Sequence, residues 1–169
     1  MEEIIYEGYG PGGVAILLHV VTENRNRAAA DVRSTLSRNG GNLGEAGCVS
    51  WIFNSKGVLT MEISGTQAEE IALRAIDEGA EDFSIEDDLL EINCQPGDLE
   101  HLRQVLESSS NVRSAEVSQV PTTTVQLDSI TALQTLRLLD RLEDLDDVQR
   151  VYTNADFPDD TFEQYETEG

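Results

Sequence analysis

Apolar positions change period along the chain, and each change predicts an element. Val14 to Val21 (VAILLHVV) is apolar on both faces, the pattern of a central strand covered on both sides. Ala28, Ala29, Val32 and Leu36 then fall on one helical face, with Asn24 placed to cap the start. Asn39-Gly40-Gly41 stops that helix, because glycine takes the left-handed conformation without strain. After Gly44 and Gly47, Cys48 to Phe53 reads as a second strand.

The middle of the chain has mirrored halves. Gly57 to Ile63 predicts a strand, and Thr66-Gln67-Ala68-Glu69 reads as a capping box. Ala68, Ile71, Ala72, Ala75 and Ile76 follow at helical spacing up to Gly79. Phe83 to Glu86 and Leu89 to Cys94 flank Asp87-Asp88 as a hairpin. Asp98 is placed to cap a helix carrying Leu99, Leu102, Val105 and Leu106, and Arg113 to Val120 alternates as a last strand before Pro121. The order β-α-β-β-α-β is the ferredoxin-like split motif.

Thr122-Thr123-Thr124 leads into a helix from about Asp128 to Leu142, with Leu133, Leu136 and Leu139 inward, and Val148 to Thr153 predicts a final strand. The first and last segments are each too small to fold alone, so they are expected to join. The fold class is α+β, with two α/β units. Residues 1–55 plus 129–157 form a discontinuous β-α-β…α-β domain, and residues 57–128 form a ferredoxin-like insert. Residues 158–169 are an acidic tail expected to fray.

Composition narrows the function classes. No apolar run approaches the roughly 20 residues a membrane helix needs, and MEEIIYEG lacks the pattern of a signal peptide. The chain reads as soluble and cytoplasmic. Cys48 and Cys94 are isolated, with no CxxC, and His19 and His101 are lone histidines, so neither metal nor cofactor is expected. Paired aspartates such as Asp87-Asp88, Asp146-Asp147 and Asp159-Asp160 fall in turns or the tail. No nucleophile-base order, HExxH or calcium loop is present, which argues against an enzyme.

The net charge is −22, with one Lys among 11 basic residues. Such a surface repels polyanions and itself until salt screens it. Against that background, Asn24 to Lys56 holds five basic and two acidic residues. Asn24, Arg25, Asn26 and Arg27 crowd a helix start, where backbone N–H groups are also free, and Arg33 and Arg38 extend the charge along the helix. Guanidinium forks suit phosphate oxygens, and amides suit sugars or base edges. The competing reading is a solvated face pairing internally with Asp31; the acidic remainder favours a partner site.

Gly8-Tyr9-Gly10-Pro11-Gly12-Gly13 imitates a phosphate loop, but no GK[ST] follows and the glycines precede a strand. It reads first as a bulged lead into that strand, with Tyr6 and Tyr9 offering faces on which a base could stack. Tyr9, Gly10 and Gly12 therefore join the candidate nucleic-acid residues.

The segments GYGPGGVAI, TENRNRAAADVR, SRNGGNLGEAGCVSWIF, EGAEDF, AEVSQVP and LEDLDDVQRVYTNADF resemble the YebC/PmpR family from about Glu2 to Phe157. That family includes the mitochondrial translational activator of cytochrome c oxidase subunit one. The resemblance implies an α/β domain interrupted by a ferredoxin-like one. It also implies a basic helical domain, opening like MAGHSKWANIKHRK, ahead of the segment seen here, so the chain is expected to start at the second domain. The implied function is non-enzymatic: a ribosome-associated translation factor that relieves stalling, or a DNA-binding transcriptional regulator. Because binding to duplex DNA is dominated by phosphate neutralisation, an acidic body fits ribosomal or transfer RNA on the ribosome better than duplex DNA. A third expectation is an acidic interaction module for a basic protein surface.

Overall fold

The computed structural model describes residues 1–168, which divide into two compact units. Unit 1 comprises Met1–Phe53 and Pro121–Gly169, and unit 2 comprises Asn54–Val120.

Unit 1 opens with β1 (Glu2–Tyr9), an element absent from the sequence expectation, followed by β2 (Ala15–Thr22). The two pair antiparallel in continuous register from Glu2↔Thr22 to Tyr9↔Ala15. Between them the chain turns through Pro11–Gly13, where Gly12 and Gly13 take φ of 74° and 81°. That left-handed pair is what glycine supplies. The glycine run is therefore a hairpin connection, not a bulged lead-in.

The α1 helix (Arg25–Arg38) starts where expected: Asn24 accepts a hydrogen bond from the Arg27 N–H, and Gly40 follows the C-terminus at φ 86°. After β3 (Asn42–Leu43) comes the main departure from the expected pattern. Residues 46–49 form turns that lead into a 3-10 turn at Ser50–Ile52, and the strand β4 (Phe53–Glu62) begins only at Phe53. The cause is Glu7. Its buried carboxylate accepts from the N–H groups of Gly47 (2.5 Å), Val49 (3.0 Å) and Ser50 (2.6 Å), bending this segment around it.

Unit 2 continues β4 through α2 (Gly65–Asp77), β5 (Asp82–Glu86), β6 (Leu89–Cys94), α3 (Leu99–Glu107) and β7 (Val112–Pro121). Its sheet order, β5-β6-β4-β7, is the ferredoxin-like arrangement. Leu59 and Met61 pair with Ile92 and Leu90, and these four bury against Ala72, Ala75, Leu102 and Leu106 of the helices. Two local expectations are corrected. Ser64 occupies the α2 N-cap without a side-chain bond, so Thr66 lies inside the first turn and makes no capping box. Ile76 is partly exposed, while Ala68, Ile71, Ala72 and Ala75 carry the buried face.

Unit 1 resumes with β8 (Val125–Gln126), α4 (Ser129–Glu143), β9 (Val148–Thr153), β10 (Ala155–Asp156) and α5 (Thr161–Glu168). Asp128 caps α4 through the Thr131 N–H. Its buried face is Ala132, Thr135, Leu136, Leu138 and Leu142, with Leu133 and Leu139 half-buried. Because β8 pairs with β10, residues 121–128 belong to unit 1 rather than to the insert. The expected frayed tail is instead α5. Phe162 packs on Phe157 at 5.6 Å between ring centroids, and the Tyr165 hydroxyl donates to Asp140. Gly169 lies outside the described residues.

The four-stranded sheet of unit 1 runs β3-β1-β2-β9. Alternate residues of β2 serve two cores, which explains its apolar run. Ile16, Leu18 and Val20 pack under Ala28, Val32 and Leu36 of α1 and Leu138 and Leu142 of α4. Ala15 and Leu17, on the opposite pleat, pack against Val49, Ile52 and Phe53.

Candidate nucleic-acid interface

The charged residues of α1 do not act as one patch. Asn24 spends its side-chain oxygen on the Arg27 N–H at 3.1 Å. Arg25 donates to Glu2 at 3.0 Å, and Arg27 to Asp147 at 3.3 Å. Asp147 also accepts from the Thr22 hydroxyl at 2.8 Å. The Thr22 hydroxyl and, after the opposing cost of burial, the Arg27 guanidinium hold the Asp147 carboxyl below its ordinary value. This end of the helix pairs internally, but with Glu2 and Asp147; the expected pairing with Asp31 is not formed among the described residues.

Arg33 and Arg38 differ. Both are exposed, and neither forms an ion pair among the described residues. Asn26 is exposed as well. At 3.6 residues per turn, Arg33 and Arg38 lie about 140° apart around the axis, on the two flanks of the outward face. Arg25 and Arg38 are separated by about 20 Å along the axis at 1.5 Å per residue.

The glycine turn meets the C-terminal end of α1. A Cβ on Gly40 would sit 3.2 Å from Pro11 Cγ, and one on Gly41 2.3 Å from the Tyr9 carbonyl oxygen. Pro11 thus lies against the turn that ends α1. Gly12 and Gly13 are exposed at the same end, against the start of α4, where a Cβ on Gly12 would reach Leu127 and Thr131. Arg38 and Gly12 therefore lie at the same end of unit 1, whereas Asn24, Arg25, Asn26 and Arg27 lie at the far end of α1. Gly10 is buried, and a Cβ there would strike Val14 at 2.9 Å and Leu138 at 3.3 Å, so packing accounts for it. Tyr9 is half-buried on the opposite side of the sheet with Cys48, whose thiol pushes the phenol upward from its ordinary value.

Sequence reasoning passed over two residues. Trp51 is 73% exposed, its ring held by an Nε1–H bond to the Cys48 carbonyl at 3.0 Å. A single tryptophan in a chain with 5% aromatics was the available signal. Its neighbours Val49 and Ile52 pack on the pleat of β2 that faces away from α1, so Trp51 does not extend the arginine surface. Glu7, within the MEEIIYEG segment, is 5% exposed. Burial pushes its carboxyl upward, but the N–H groups of Gly47, Val49 and Ser50 outweigh that and hold it below its ordinary value.

Among the described residues no three His, Cys, Asp or Glu side chains are placed to hold a metal ion, and no helix is long and apolar enough to cross a membrane.

A ferredoxin-like unit inserted into the sequence of a discontinuous α/β unit defines the class: a two-unit α+β protein. The family described as TACO1/YebC second and third domain matches residues 1–155, and the chain belongs to that family. It is 58% identical over 161 residues to a probable transcriptional regulatory protein of Moorella thermoacetica, covering 93% of this chain and 64% of that one. A probable transcriptional regulatory protein of Dehalococcoides mccartyi is 52% identical, over 98% of this chain and 66% of its own. The crystal structure of a conserved hypothetical protein from Aquifex aeolicus superposes with a TM-score of 0.83 at 40% identity, covering 94% of this chain and 66% of that one. The chain thus spans slightly less than two thirds of these relatives' length.

Proposed function

We propose that this chain serves a non-enzymatic gene-expression factor that contacts RNA on the ribosome, with Arg33, Arg38, Asn26 and the Gly12–Gly13 turn on the contact surface. The observation that carries the reading is Arg38. In a chain of net charge −22, it stands exposed without an ion pair among the described residues, at the end of α1 where the exposed glycine turn also lies. The relatives' printed names, probable transcriptional regulatory proteins, support a role in gene expression and favour duplex DNA as the second reading.

Electrostatics favours RNA. With Arg25 and Arg27 committed internally, α1 offers two unpaired guanidinium groups. Two phosphate contacts give a salt slope of only about −2 on duplex DNA, too shallow to offset repulsion from the acidic body. A ribosomal site presents RNA beside basic protein, which relieves that repulsion. Localisation in the cytoplasm belongs to this same proposal.

A salt series on a labelled RNA hairpin and a DNA duplex of the same stem length separates the readings. Binding to RNA that weakens at least tenfold in R33E/R38E, with weaker binding to the duplex, is expected. Tighter binding to duplex DNA with a slope steeper than about −4 would overturn it in favour of the second reading.

A further inference from the structure

On the flank of α1 opposite Arg33, unit 1 holds a cleft of about 400 Å³. Its floor is apolar: Val20, Ala28 and Val32 are buried, and Leu145 and Val148 are half-buried beside them. Its rim is acidic, with Asp31 from α1 and Asp144, Asp146 and Asp147 from the turn between α4 and β9. The rim holds four carboxylates and one guanidinium, that of Arg27. Arg27 is already spent on Asp147. Asp31, Asp144 and Asp146 are exposed and form no ion pair among the described residues.

We infer that this cleft is a docking site for an arginine side chain of a basic segment of a protein partner. The chemistry of the walls selects that occupant. An apolar floor suits the aliphatic stem of a long basic side chain, and unpaired carboxylates at the mouth suit its charged head. Arginine is preferred to lysine because its guanidinium is flat and weakly hydrated, and it bonds carboxylates in a fork, so less hydration is lost on entering a partly apolar cleft. The cleft already receives one such group, since Arg27 places its guanidinium at the rim against Asp147. A nucleic acid is excluded by the same charge. This surface lies about 10 Å along the axis of α1 from Arg38, toward the end away from the glycine turn, so a protein partner and an RNA can be held at different ends of one helix.

The test uses a fluorescein-labelled peptide of alternating glycine and arginine, with a second peptide carrying citrulline, the neutral isostere, at each arginine. The arginine peptide is expected to bind and to shift the amide resonances of Val20, Ala28, Val32 and Val148 in the isotope-labelled protein. D31N/D144N/D146N is expected to weaken binding at least tenfold. D87N/D88N, in the hairpin turn of unit 2, serves as the control for diffuse charge and is expected to weaken it less than threefold. The variants replace exposed side chains, and circular dichroism spectra matching wild type are the check on their folding. Loss of affinity in D87N/D88N equal to that in the cleft variant, equal binding of the citrulline peptide, resonance shifts confined to other residues, or no binding would each overturn the assignment. RNA binding retained in D31N/D144N/D146N keeps this outcome separate from the reading of Arg38.

Discussion

The Arg27 guanidinium lies 3.3 Å from Asp147 Oδ2, across 120 residues of sequence, and this contact divides the basic residues of α1 into two groups. Near the N-terminus the arginines serve the fold, Arg25 on Glu2 and Arg27 on Asp147. Further along, Arg33 and Arg38 face solvent. Charge density alone made the N-terminal turn of α1 the stronger candidate; the pairing moves the emphasis to Arg38.

The division predicts opposite behaviour for two double variants. R25Q/R27Q should change RNA affinity less than threefold and cost under about 1 kcal/mol of stability, since both guanidinium groups are exposed. R33Q/R38Q should weaken RNA binding at least tenfold and leave stability within about 0.5 kcal/mol. Binding isotherms and urea unfolding curves on the same samples check both.

Glu7 predicts an acid-sensitive loop. Its carboxyl lies below its ordinary value in the folded protein, so the stabilisation it supplies is complete above the ordinary carboxylate value. It is lost as pH falls through the lowered one. Glu7→Gln should cost about 1–3 kcal/mol near neutral pH, because three buried or part-buried N–H donors lose a charged acceptor. The difference from wild type should shrink toward pH 3. Trp51, in the same segment, reports it by fluorescence during urea unfolding at each pH.

Gly41 is required by close approach. A Cβ would lie 2.3 Å from the Tyr9 carbonyl oxygen, which belongs to β1 and cannot swing away as a side chain would. Gly41→Ala should cost about 1–3 kcal/mol, as overpacking does, and thermal unfolding measures it.

Self-repulsion at −22 predicts a rising unfolding midpoint as salt is added, because screening weakens unpaired like charges more than the short ion pairs. A flat response to molar salt would contradict it.

Local signals made much of the fold legible. Asn24 and Gly40 bracket α1, and alternation in Leu59–Met61 and Leu90–Cys94 gave the ferredoxin-like sheet. What escaped depended on distant partners. Glu2, Glu3 and Glu7 break the apolar pattern of residues 2–9, so β1 was missed, although turn glycines at 10–13 ahead of an apolar strand are a hairpin signal. Cys48–Phe53 has strand composition, but the Glu7 carboxylate takes three of that region's N–H groups. At the site, the arginines were visible, but their pairing was not, because Glu2 and Asp147 lie 23 and 120 residues away.

The most direct test is co-sedimentation with ribosomes at physiological salt, comparing wild type, R33E/R38E and R25Q/R27Q. Wild type and R25Q/R27Q should pellet with ribosomes while R33E/R38E stays in the supernatant. Equal pelleting of all three, or no pelleting of the wild type, would contradict the assignment of RNA contact to Arg33 and Arg38.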